Sequence, residues 1–370
     1  MKTKINLNLL KKSIKKAYKL LPKKTSFPLL DCFFFSFSNN KMILQATDLF
    51  SGIIIENKAV VEEEGKVVVN GKFFSEIISS LDGEEIILSC NEKTLNLETK
   101  KEKINLTILN YEEYPEIKEL KKEKMSFFLK KEQAEEIEKK LSFSVSNDLN
   151  KPIFNSFYLE IKKKKILFVG TDSVRLGILT YNQENENEKN VLIPKKNMIE
   201  IISLIKEESG EKVDFFINEE ENQLFFKKET IFYFTKLNSG QYPPYEKIFP
   251  EKNDFRITVN KDNLLNLLKK VVCFVRDSSN IIKMTVGKEK IFFSANSNLN
   301  GKYDGFIKIV NESQKETKIA FNVLYLIDYL ISVEGEQIEI MLSNSSRPAL
   351  FKDNDRKHYQ HLIMPFALNE

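Results

Sequence analysis

Two histidines near the end of the sequence are the residue types best suited to metal binding or acid–base catalysis. His358 and His361 are the chain's two histidines and lie three residues apart, with Asp353 and Asp355 nearby. Imidazole and carboxylate groups can hold zinc, but this group has no thiolate and no predicted helix to fix its geometry. We therefore interpret it as a solvated turn before the last strand, and we expect no metal and no cofactor.

A threonine–aspartate–serine segment is a candidate for a hydrolytic site. A serine such as Ser173 attacks a carbonyl only when a positioned base accepts its proton, and the sequence places no histidine near it. The chain also lacks the glycine-rich phosphate loop, the dinucleotide-binding fingerprint and the H-E-x-x-H zinc motif. The sequence therefore favours a binding protein over an enzyme.

Composition narrows the class of protein further. Cys32, Cys90 and Cys273 are widely spaced and form no C-x-x-C pair, so we expect neither a disulfide framework nor a zinc site, and a reducing cytoplasm. The 57 basic and 53 acidic side chains leave a net charge of +4, so a DNA-binding protein of this composition must concentrate its positive charge on one surface. The polar N-terminus does not resemble a signal peptide, and no apolar run approaches the length of a membrane span.

One pattern recurs three times, about 125 residues apart. It consists of an apolar helix, a break that contains glycine, and a strand. In the first copy, apolar residues from Phe73 to Leu81 recur on one face of a helix. The glycines expected to end these helices in a left-handed conformation are Gly83, Gly210 and Gly335.

Three copies of one pattern in 370 residues predict three domains of ordinary size. Linkers are predicted at 119–124 and 250–254. Each domain opens with a helix and carries a second one past its middle, with strands between and after, which is an α+β plan. The predicted domains are residues 1–121, 122–250 and 251–370.

The first predicted helix, residues 6–21, has a face covered by lysines. Such a stripe is usually a solvated surface, and the alternative is a surface that faces phosphate groups. The lysines are Lys11, Lys12, Lys15, Lys16 and Lys19.

Four short segments carry a specific resemblance to one family. The segments are 69–77 (VNGKFFSEI), 171–176 (TDSVRL), 240–250 (GQYPPYEKIFP) and 361–368 (HLIMPFAL). The second resembles T-D-G-H-R-L, the third G-x-[FY]-P-D-Y-x-[RK]-V-x-P, and the fourth Y-x-x-M-P-[MV]-R-L. Because all four occur in order in a chain with three internal copies, the sequence resembles the bacterial sliding clamp family, the beta subunit of DNA polymerase III.

The resemblance implies a head-to-tail homodimer, closed into a ring of six similar domains with helices lining the hole and sheets outside. Head-to-tail contacts close into a ring only if the rotation per subunit closes. The third domain of one subunit would meet the first domain of the other by strand pairing and apolar packing. The resemblance places this contact at Ile104, Leu106, Cys273 and Phe274.

The resemblance also implies that double-stranded DNA passes through the ring, held by enclosure and by sequence-independent contacts to phosphate. The residues expected to face DNA are Lys24, Lys151, Lys195 and Lys196, with Lys12 and Lys16 as a looser assignment. The opening helix of the second domain departs from a basic lining, because it carries Glu132, Glu135, Glu136 and Glu138.

A cleft between the second and third domains is the second implied site. In the family it binds short peptides from the replicative polymerase, the clamp loader and repair proteins, with apolar anchors that supply affinity. Carried over by position, its residues are Phe154, Thr171, Arg175, Leu176, Pro243, Lys247, Ile248, Leu362, Met364, Pro365, Phe366 and Leu368, together with Pro348. The alternative for Leu176, Ile248 and Leu362 is an ordinary core position. Ser173 and Val174 replace the family's Gly-His, which makes the wall of the cleft more apolar.

These features predict a non-catalytic processivity factor of DNA replication, a sliding clamp that acts as a cytoplasmic homodimer. The alternative is a repeat-built adaptor or nucleic-acid-binding protein that forms no ring. A single-strand binder would display stacking aromatics on exposed strands, whereas the many phenylalanines here alternate as core residues do. Retention on circular DNA and loss from linear ends would distinguish the two.

Overall fold

The computed structural model describes most of the chain as two compact units. The described residues are 1–22, 24–91, 93–115, 117, 124–207, 210–250, 254–276, 280–297, 301–313, 315–343, 347–354 and 357–367. The first unit comprises Met1–Lys131 with Ile199–Leu237, and the second comprises Glu132–Met198 with Asn238–Glu370. Both units take part of residues 122–250, and the predicted linkers lie largely outside the described residues, so the three domain ranges stay predictions.

Six α-helices occur in the described residues. They are α1 (Leu7–Tyr18), α2 (Gly71–Ser80), α3 (Lys131–Leu141), α4 (Lys195–Glu207), α5 (Lys261–Val275) and α6 (Val323–Ser332). Short 3₁₀ turns occupy Pro28–Asp31, Tyr111–Glu113 and Tyr245–Ile248.

The strands are short and all of their pairings are antiparallel in the described residues. They are β1 (Lys2–Asn6), β2 (Cys32–Ser38), β3 (Lys41–Thr47), β4 (Ser51–Lys58), β5 (Val60–Glu63), β6 (Gly65–Asn70), β7 (Glu85–Cys90), β8 (Thr94–Glu98), β9 (Lys103–Thr107), β10 (Phe127–Lys130), β11 (Ser156–Lys162), β12 (Lys165–Thr171), β13 (Arg175–Asn182), β14 (Lys189–Pro194), β15 (Lys212–Asn218), β16 (Gln223–Lys228), β17 (Ile231–Lys236), β18 (Phe255–Asn260), β19 (Ile281–Val286), β20 (Lys290–Ser297), β21 (Gly301–Lys308), β22 (Val310–Asn311), β23 (Thr317–Asn322), β24 (Gln337–Leu342), β25 (Ala349–Asp353) and β26 (Tyr359–Ile363).

Two sheets form in each unit. The first unit contains the sheets β5-β1-β7-β8-β9 and β10-β15-β16-β17-β4-β3-β2-β6. The second contains β14-β11-β12-β13-β26-β25-β24-β18-β22 and β21-β20-β19-β23. Helix α1 packs on α2 and contacts strands of both sheets of its unit, and α5 packs on α6. This arrangement confirms the α+β class.

Each helix begins directly after a strand, although the sequence predicts only some of these strands. Asn6, Asn70, Asn260 and Asn322 end strands, and their side chains accept backbone N–H groups of the first helical turn. The strands β1, β10 and β18 were not predicted. Each is only four to six residues long and runs directly into the helix that follows it. The first helix is consequently shorter than the predicted 6–21.

Strand pairing joins successive copies of the repeat within each unit. Strands β2, β3, β4 and β6 form a four-stranded group that recurs as β11–β14 and as β19, β20, β21 and β23. A second group, β1, β7, β8 and β9, recurs as β10 with β15–β17 and as β18 with β24–β26. Pairing of β4 with β17, and of β13 with β26, fuses a group of one copy to a group of the next. The strands equivalent to these partners in the remaining groups, β9 and β21, have no such pairing in the described residues and are sheet edges, as are β5, β6, β10, β14, β22 and β23.

Two expectations about individual residues were wrong. Gly83 and Gly210 have positive φ angles, of 133° and 95°, but α2 already ends at Ser80 with an extended cap, and Gly335 does not share the positive φ. The backbone N–H of Gly335 instead donates to Asp353 Oδ2 at 3.2 Å. The turn after α6 is therefore held by a side chain.

The prediction of a solvated turn is wrong for His361, whereas His358 does lie in the turn before the last strand. His361 is fully buried within β26, and its ring stacks on Tyr329 at 5.1 Å between centroids. His358 is half-buried and its Nε2 lies 2.9 Å from Glu136 Oε1. Asp353 is buried by its turn contacts, and Asp355 lies outside the described residues.

A buried ion pair ties α3 to strands β13 and β26. The ammonium of Lys140, whose side chain is 1% exposed, binds Glu136, which also accepts the hydroxyl of Tyr181 at 2.9 Å. Burial alone would raise the pKa of Glu136, but Lys140, His358 and Tyr181 together lower it below its usual value. The carboxylate is therefore charged at neutral pH and neutralises a lysine that has no access to water.

We expect Glu136→Ala to lower the free energy of unfolding by about 3–5 kcal/mol, because it leaves the buried Lys140 ammonium without its carboxylate partner. Glu135→Ala on the exposed face of the same helix is the matched control, expected to change it by less than about 0.5 kcal/mol. Urea unfolding followed by circular dichroism measures both. Equal midpoints for the two variants would contradict the assignment.

Candidate functional site

A tight loop between β12 and β13 carries the Thr171–Arg175 motif. The hydroxyl of Thr171 donates to the Arg175 carbonyl at 2.6 Å, and Asp172 Oδ1 accepts the backbone N–H groups of Val174 and Arg175, each at 3.0 Å. These bonds close the loop without help from outside it. Ser173 has a φ of 79°, in the left-handed region that favours glycine. This geometry gives a physical reason for glycine at this place in the family motif.

Arg175 connects this loop to α6. Its Nε donates to Asp172 Oδ2 at 3.0 Å and its Nη1 to Asp328 Oδ2 at 2.6 Å. The guanidinium also lies over the ring of Tyr325, at 4.4 Å, and over that of Phe143, at 5.2 Å. A planar cation held by two carboxylates and two rings has a fixed orientation, so Arg175 acts as a structural wall of the site.

The segment after β26 runs alongside the same loop. The N–H of Met364 donates to the Val174 carbonyl at 2.9 Å, and the N–H of Phe366 donates to the Ala320 carbonyl at 2.8 Å. Both side chains remain more than a third exposed. The main chain of this segment is thus fixed while its apolar side chains stay available.

An apolar cluster underlies these exposed side chains. Leu176 and Leu362 are cross-strand neighbours and are 3% and 2% exposed, so they are core positions at the floor of the site. The cluster is completed by Leu167, Val169, Ile178, Leu192, Tyr242, Tyr245, Met341 and Leu350. The predicted peptide anchors therefore divide into a buried floor and an accessible rim.

The rim contains most of the other predicted cleft residues. Pro243, Lys247 and Ile248 are exposed around the third 3₁₀ turn, whereas Phe154 and Pro348 are half-buried. Pro365 is also half-buried, and Leu368 lies outside the described residues. Their assignment to peptide binding stays a prediction.

Sequence reasoning missed the aromatic and acidic residues that orient Arg175. Tyr325 and Asp328 are on α6, about 150 residues away in sequence, and neither belongs to one of the four recognised segments. Their i, i+3 spacing on a helix places them on one face, but only the folded chain shows that this face meets Arg175.

The lysines predicted to face DNA differ in their surroundings. Lys12, Lys24, Lys151 and Lys196 are exposed and Lys16 is half-buried. Lys195 donates instead to the Val145 carbonyl and to Asn147 Oδ1, both at 2.7 Å. Burial, followed by the charge of Arg175, lowers the pKa of Lys195. Its contacts fix the 145–147 loop.

Helix α3 has a charge pattern unlike that of α1. Helix α1 carries four lysines and no acidic residue. On α3, Lys140 forms an ion pair with Glu136, and Lys139 forms one with Glu334 at 3.0 Å. Glu132 and Glu135 of the same helix are exposed. The acidic residues that the sequence places on this helix, in departure from a basic lining, are therefore present on its surface.

The residues predicted to meet a second subunit lie at or near sheet edges. Ile104 is half-buried and Leu106 is 5% exposed, both on the edge strand β9. Cys273 is exposed at the end of α5, and the ring of Phe274 packs on Tyr303 of the edge strand β21 at 5.7 Å. The packing of Phe274 links the helix end to that edge.

Two features of the described part of the chain bear on other functions. The described residues contain no group of three or more His, Cys, Asp or Glu side chains placed to hold a metal ion. None of the helices in the described part of the chain combines the length and apolar character needed to cross a membrane.

Comparison with known proteins gives one consistent result. The DNA polymerase III beta subunit models match in chain order: the N-terminal domain at residues 1–118, the central domain at 129–244 and the C-terminal domain at 246–367. The beta sliding clamp of Staphylococcus epidermidis is 27% identical over 358 residues, 94% of each chain. That of Staphylococcus aureus is 25% identical over the same share.

Solved structures agree on the fold. A putative DNA polymerase III beta subunit from Eubacterium rectale is 24% identical with a TM-score of 0.93, and the beta subunit from Thermotoga maritima is 23% identical with a TM-score of 0.92. The DNA polymerase sliding clamp from Bacillus subtilis is also 23% identical with a TM-score of 0.92. Each alignment covers the whole of both chains.

We expect His361 to make stability pH-dependent. Burial, and then the charge of Arg175, lowers the pKa of His361 from 6.5 to about 3. Below pH 6.5 the unfolded chain therefore binds a proton at this histidine, whereas the folded chain binds it only below about pH 3. Stability is therefore lost as the pH falls through this window. Between pH 7 and pH 5, His361→Gln should lose about 2 kcal/mol less than the wild type.

Urea titrations at each pH measure this difference, and the two proteins should show parallel stability between pH 7 and pH 9, where His361 is neutral in both states. The same loss in both proteins between pH 7 and pH 5 would refute the burial of a neutral imidazole.

Proposed function

We infer the function of this chain from a premise that the three matching domain models establish: it belongs to the DNA polymerase III beta subunit family. Its function in DNA replication is that of a sliding clamp, a non-catalytic processivity factor. The finer features are proposals: a ring-shaped homodimer, double-stranded DNA as its track, peptide-bearing partners, and a cytoplasmic location where bacterial chromosomes are copied.

The observation that carries the ring is the pair of unused sheet edges. Within one chain, the third group of β19–β21 and β23 ends at β21, and the first group of β1 and β7–β9 ends at β9. The two internal junctions pair the equivalents of these strands, β4 with β17 and β13 with β26. With a second copy of the chain, the same junction can form twice more: β21 of each copy can pair with β9 of the other. All β9 and β21 edges are then paired.

Enclosure explains how the protein can hold DNA with little net charge. We propose that duplex DNA is retained by topology, with exposed lysines such as Lys12, Lys24 and Lys196 making weak contacts to phosphate. Contacts of that kind do not depend on base sequence. The charge patterns of α1 and α3 indicate that the contacts are concentrated on the α1 side.

We propose that the exposed rim around Met364 and Phe366 binds short peptides of the replicative polymerase, the clamp loader and repair proteins. The fixed main chain and the apolar floor supply a groove, and Arg175 supplies a rigid wall. Methionine adapts its shape to different side chains, which suits a site that receives several partners.

The ring is tested by loading the protein onto nicked circular DNA and then cutting the circle. We expect retention before the cut and release after it, because enclosure fails at a free end. An adaptor or single-strand binder that forms no ring would dissociate equally from both DNA forms.

The dimer contact is tested with Ile104→Glu, which puts a charge on the edge strand β9. Val60→Glu on β5, the opposite edge of the same sheet, is the matched control. We expect the first variant to sediment as a monomer at micromolar concentration and the second as a dimer. Dimers of both variants would contradict the proposed edge.

The peptide site is tested with the double variant Met364→Ala/Phe366→Ala, which keeps both backbone hydrogen bonds and removes the accessible side chains. We expect polymerase binding to weaken by at least about 30-fold, the size of a 2 kcal/mol hot spot, with the dimer mass unchanged. Phe50→Ala, which removes a side chain 66% exposed in the first unit, is the control. Unchanged stimulation of DNA synthesis by the double variant would reject the site.

A further inference from the structure

The extended segment that follows each of the first two repeat copies covers the outer face of a sheet, the face opposite to the helices. In the first unit, Tyr114 stacks on Phe34 of β2 at 5.3 Å, and its hydroxyl donates to the carbonyls of Cys32 and Gln45. Ile117 then packs with Ile54, and with Ile43 of β3 at the margin of the same cluster. The segment thus shields the apolar outer side chains of these strands.

The second unit repeats this arrangement with different residues. Tyr242 stacks on Tyr158 of β11 at 4.4 Å, and Tyr242 and Tyr245 both pack in the cluster that contains Leu167 of β12. The bridges that start the two segments are equivalent, Leu109 to Val68 of β6 and Asn238 to Leu192 of β14. An aromatic residue a few positions further on covers the outer face in both cases.

In the third group, the segment that follows β26 begins with an equivalent bridge, from Phe366 to Ala320 of β23. Lys283 of β19 pairs with Ala320 on one side and with Ser294 of β20 on the other. In the first group, Phe34 occupies the position of Lys283 and Gln45 that of Ser294. Two residues along β20 lies Phe292, at the position that Ile43 and Leu167 hold in the first two groups.

Phe292 is not covered as its two counterparts are. It is 51% exposed, and so is its cross-strand neighbour Phe306 on β21, with 6.0 Å between their ring centroids. The alternation of the strands points both rings away from α5, which packs on the buried Ile291 and Phe293 side. A pair of half-exposed rings is therefore presented where the other two groups hold a tyrosine-bearing segment.

The surroundings of the two rings are strongly basic. The ammonium of Lys290 lies 4.4 Å from the centre of the Phe306 ring. On the outer face of these four strands, five lysines stand against one aspartate among the described residues. They are Lys283, Lys290, Lys302, Lys308 and Lys318, and Asp304 pairs with Lys302.

We propose that this outer face of β19–β21 is a docking surface for an acidic, extended peptide that carries aromatic residues. The first covering segment shows the matching chemistry: residues 110–117, NYEEYPEI, contain two tyrosines, three glutamates and no basic residue. Aromatic side chains of the occupant stack on Phe292 and Phe306, and its carboxylates face the lysines. The rim borders this surface, because Phe366 bridges to Ala320 beside Lys283. Phe306 lies on β21, whose hydrogen-bonding edge is proposed above to pair with a second copy, and the docking surface is the side-chain face of that strand.

The probe is a fluorescein-labelled peptide of sequence NYEEYPEI, titrated with the full chain and followed by fluorescence anisotropy. The Phe292→Ser/Phe306→Ser variant should bind at least tenfold more weakly, whereas Phe50→Ser, which removes a more exposed ring elsewhere, should bind as the wild type does. A peptide with both tyrosines replaced by serine, and a peptide with glutamine for glutamate, should each bind at least tenfold more weakly to the wild type.

Equal binding by the double variant, or no binding to the wild type at millimolar protein, would overturn the proposal. A rise in the mass of the wild type above that of the dimer with concentration, which the double variant alone abolishes, without peptide binding, would assign the face to self-association instead and would also overturn it. Retention of the double variant on circular DNA, measured in parallel, keeps this outcome distinct from a failure of the ring.

Discussion

Main-chain hydrogen bonding between sheet edges is the constraint on which the architecture depends. A strand at the edge of a sheet presents unpaired N–H and C=O groups, and an edge left open invites uncontrolled association. The chain meets this constraint twice internally, by pairing β4 with β17 and β13 with β26, so that sheets of eight and nine strands run through successive repeats. The same constraint supports the proposed ring, since each chain leaves one edge of either kind for pairing with a second copy.

The proposed peptide site depends on the same junction. Because β13 and β26 are paired, the 171–175 loop of one repeat and the 364–366 segment of another lie side by side, and Val174 can accept the N–H of Met364. Arg175 then has its two carboxylates on different elements, the loop and α6. Main-chain pairing and the ion pairs of Arg175 make a groove built this way rigid. The exposed side chains at its rim can then adapt to the peptide that is proposed to bind there.

How much the sequence could predict depended on whether the signal was local. The threefold repeat, the six helices and the sliding clamp resemblance followed from periodicity and short motifs. Tyr325 and Asp328 could not be linked to Arg175, because nothing local in α6 marks the face that meets the loop. His361 was assigned to a solvated turn because no thiolate or predicted helix accompanies it, but the pairing of β26 with β13 places it in the interior, 0% exposed.

Ser173 shows how the chain tolerates a departure from its family. A non-glycine residue at a φ of 79° carries a conformational cost of about 1–2 kcal/mol. The loop holds the residue in this conformation by its own hydrogen bonds, because the N–H of Ser173 donates to Thr171 Oγ1 at 3.1 Å and the next two N–H groups bind Asp172. These bonds use backbone N–H groups, which glycine would also supply, and acceptors within residues 171–175, so the change from glycine need not disturb Arg175 or the 364–366 segment. The departure therefore alters the chemistry of the rim through Ser173 and Val174 while the position of the groove is kept by the strands beneath it.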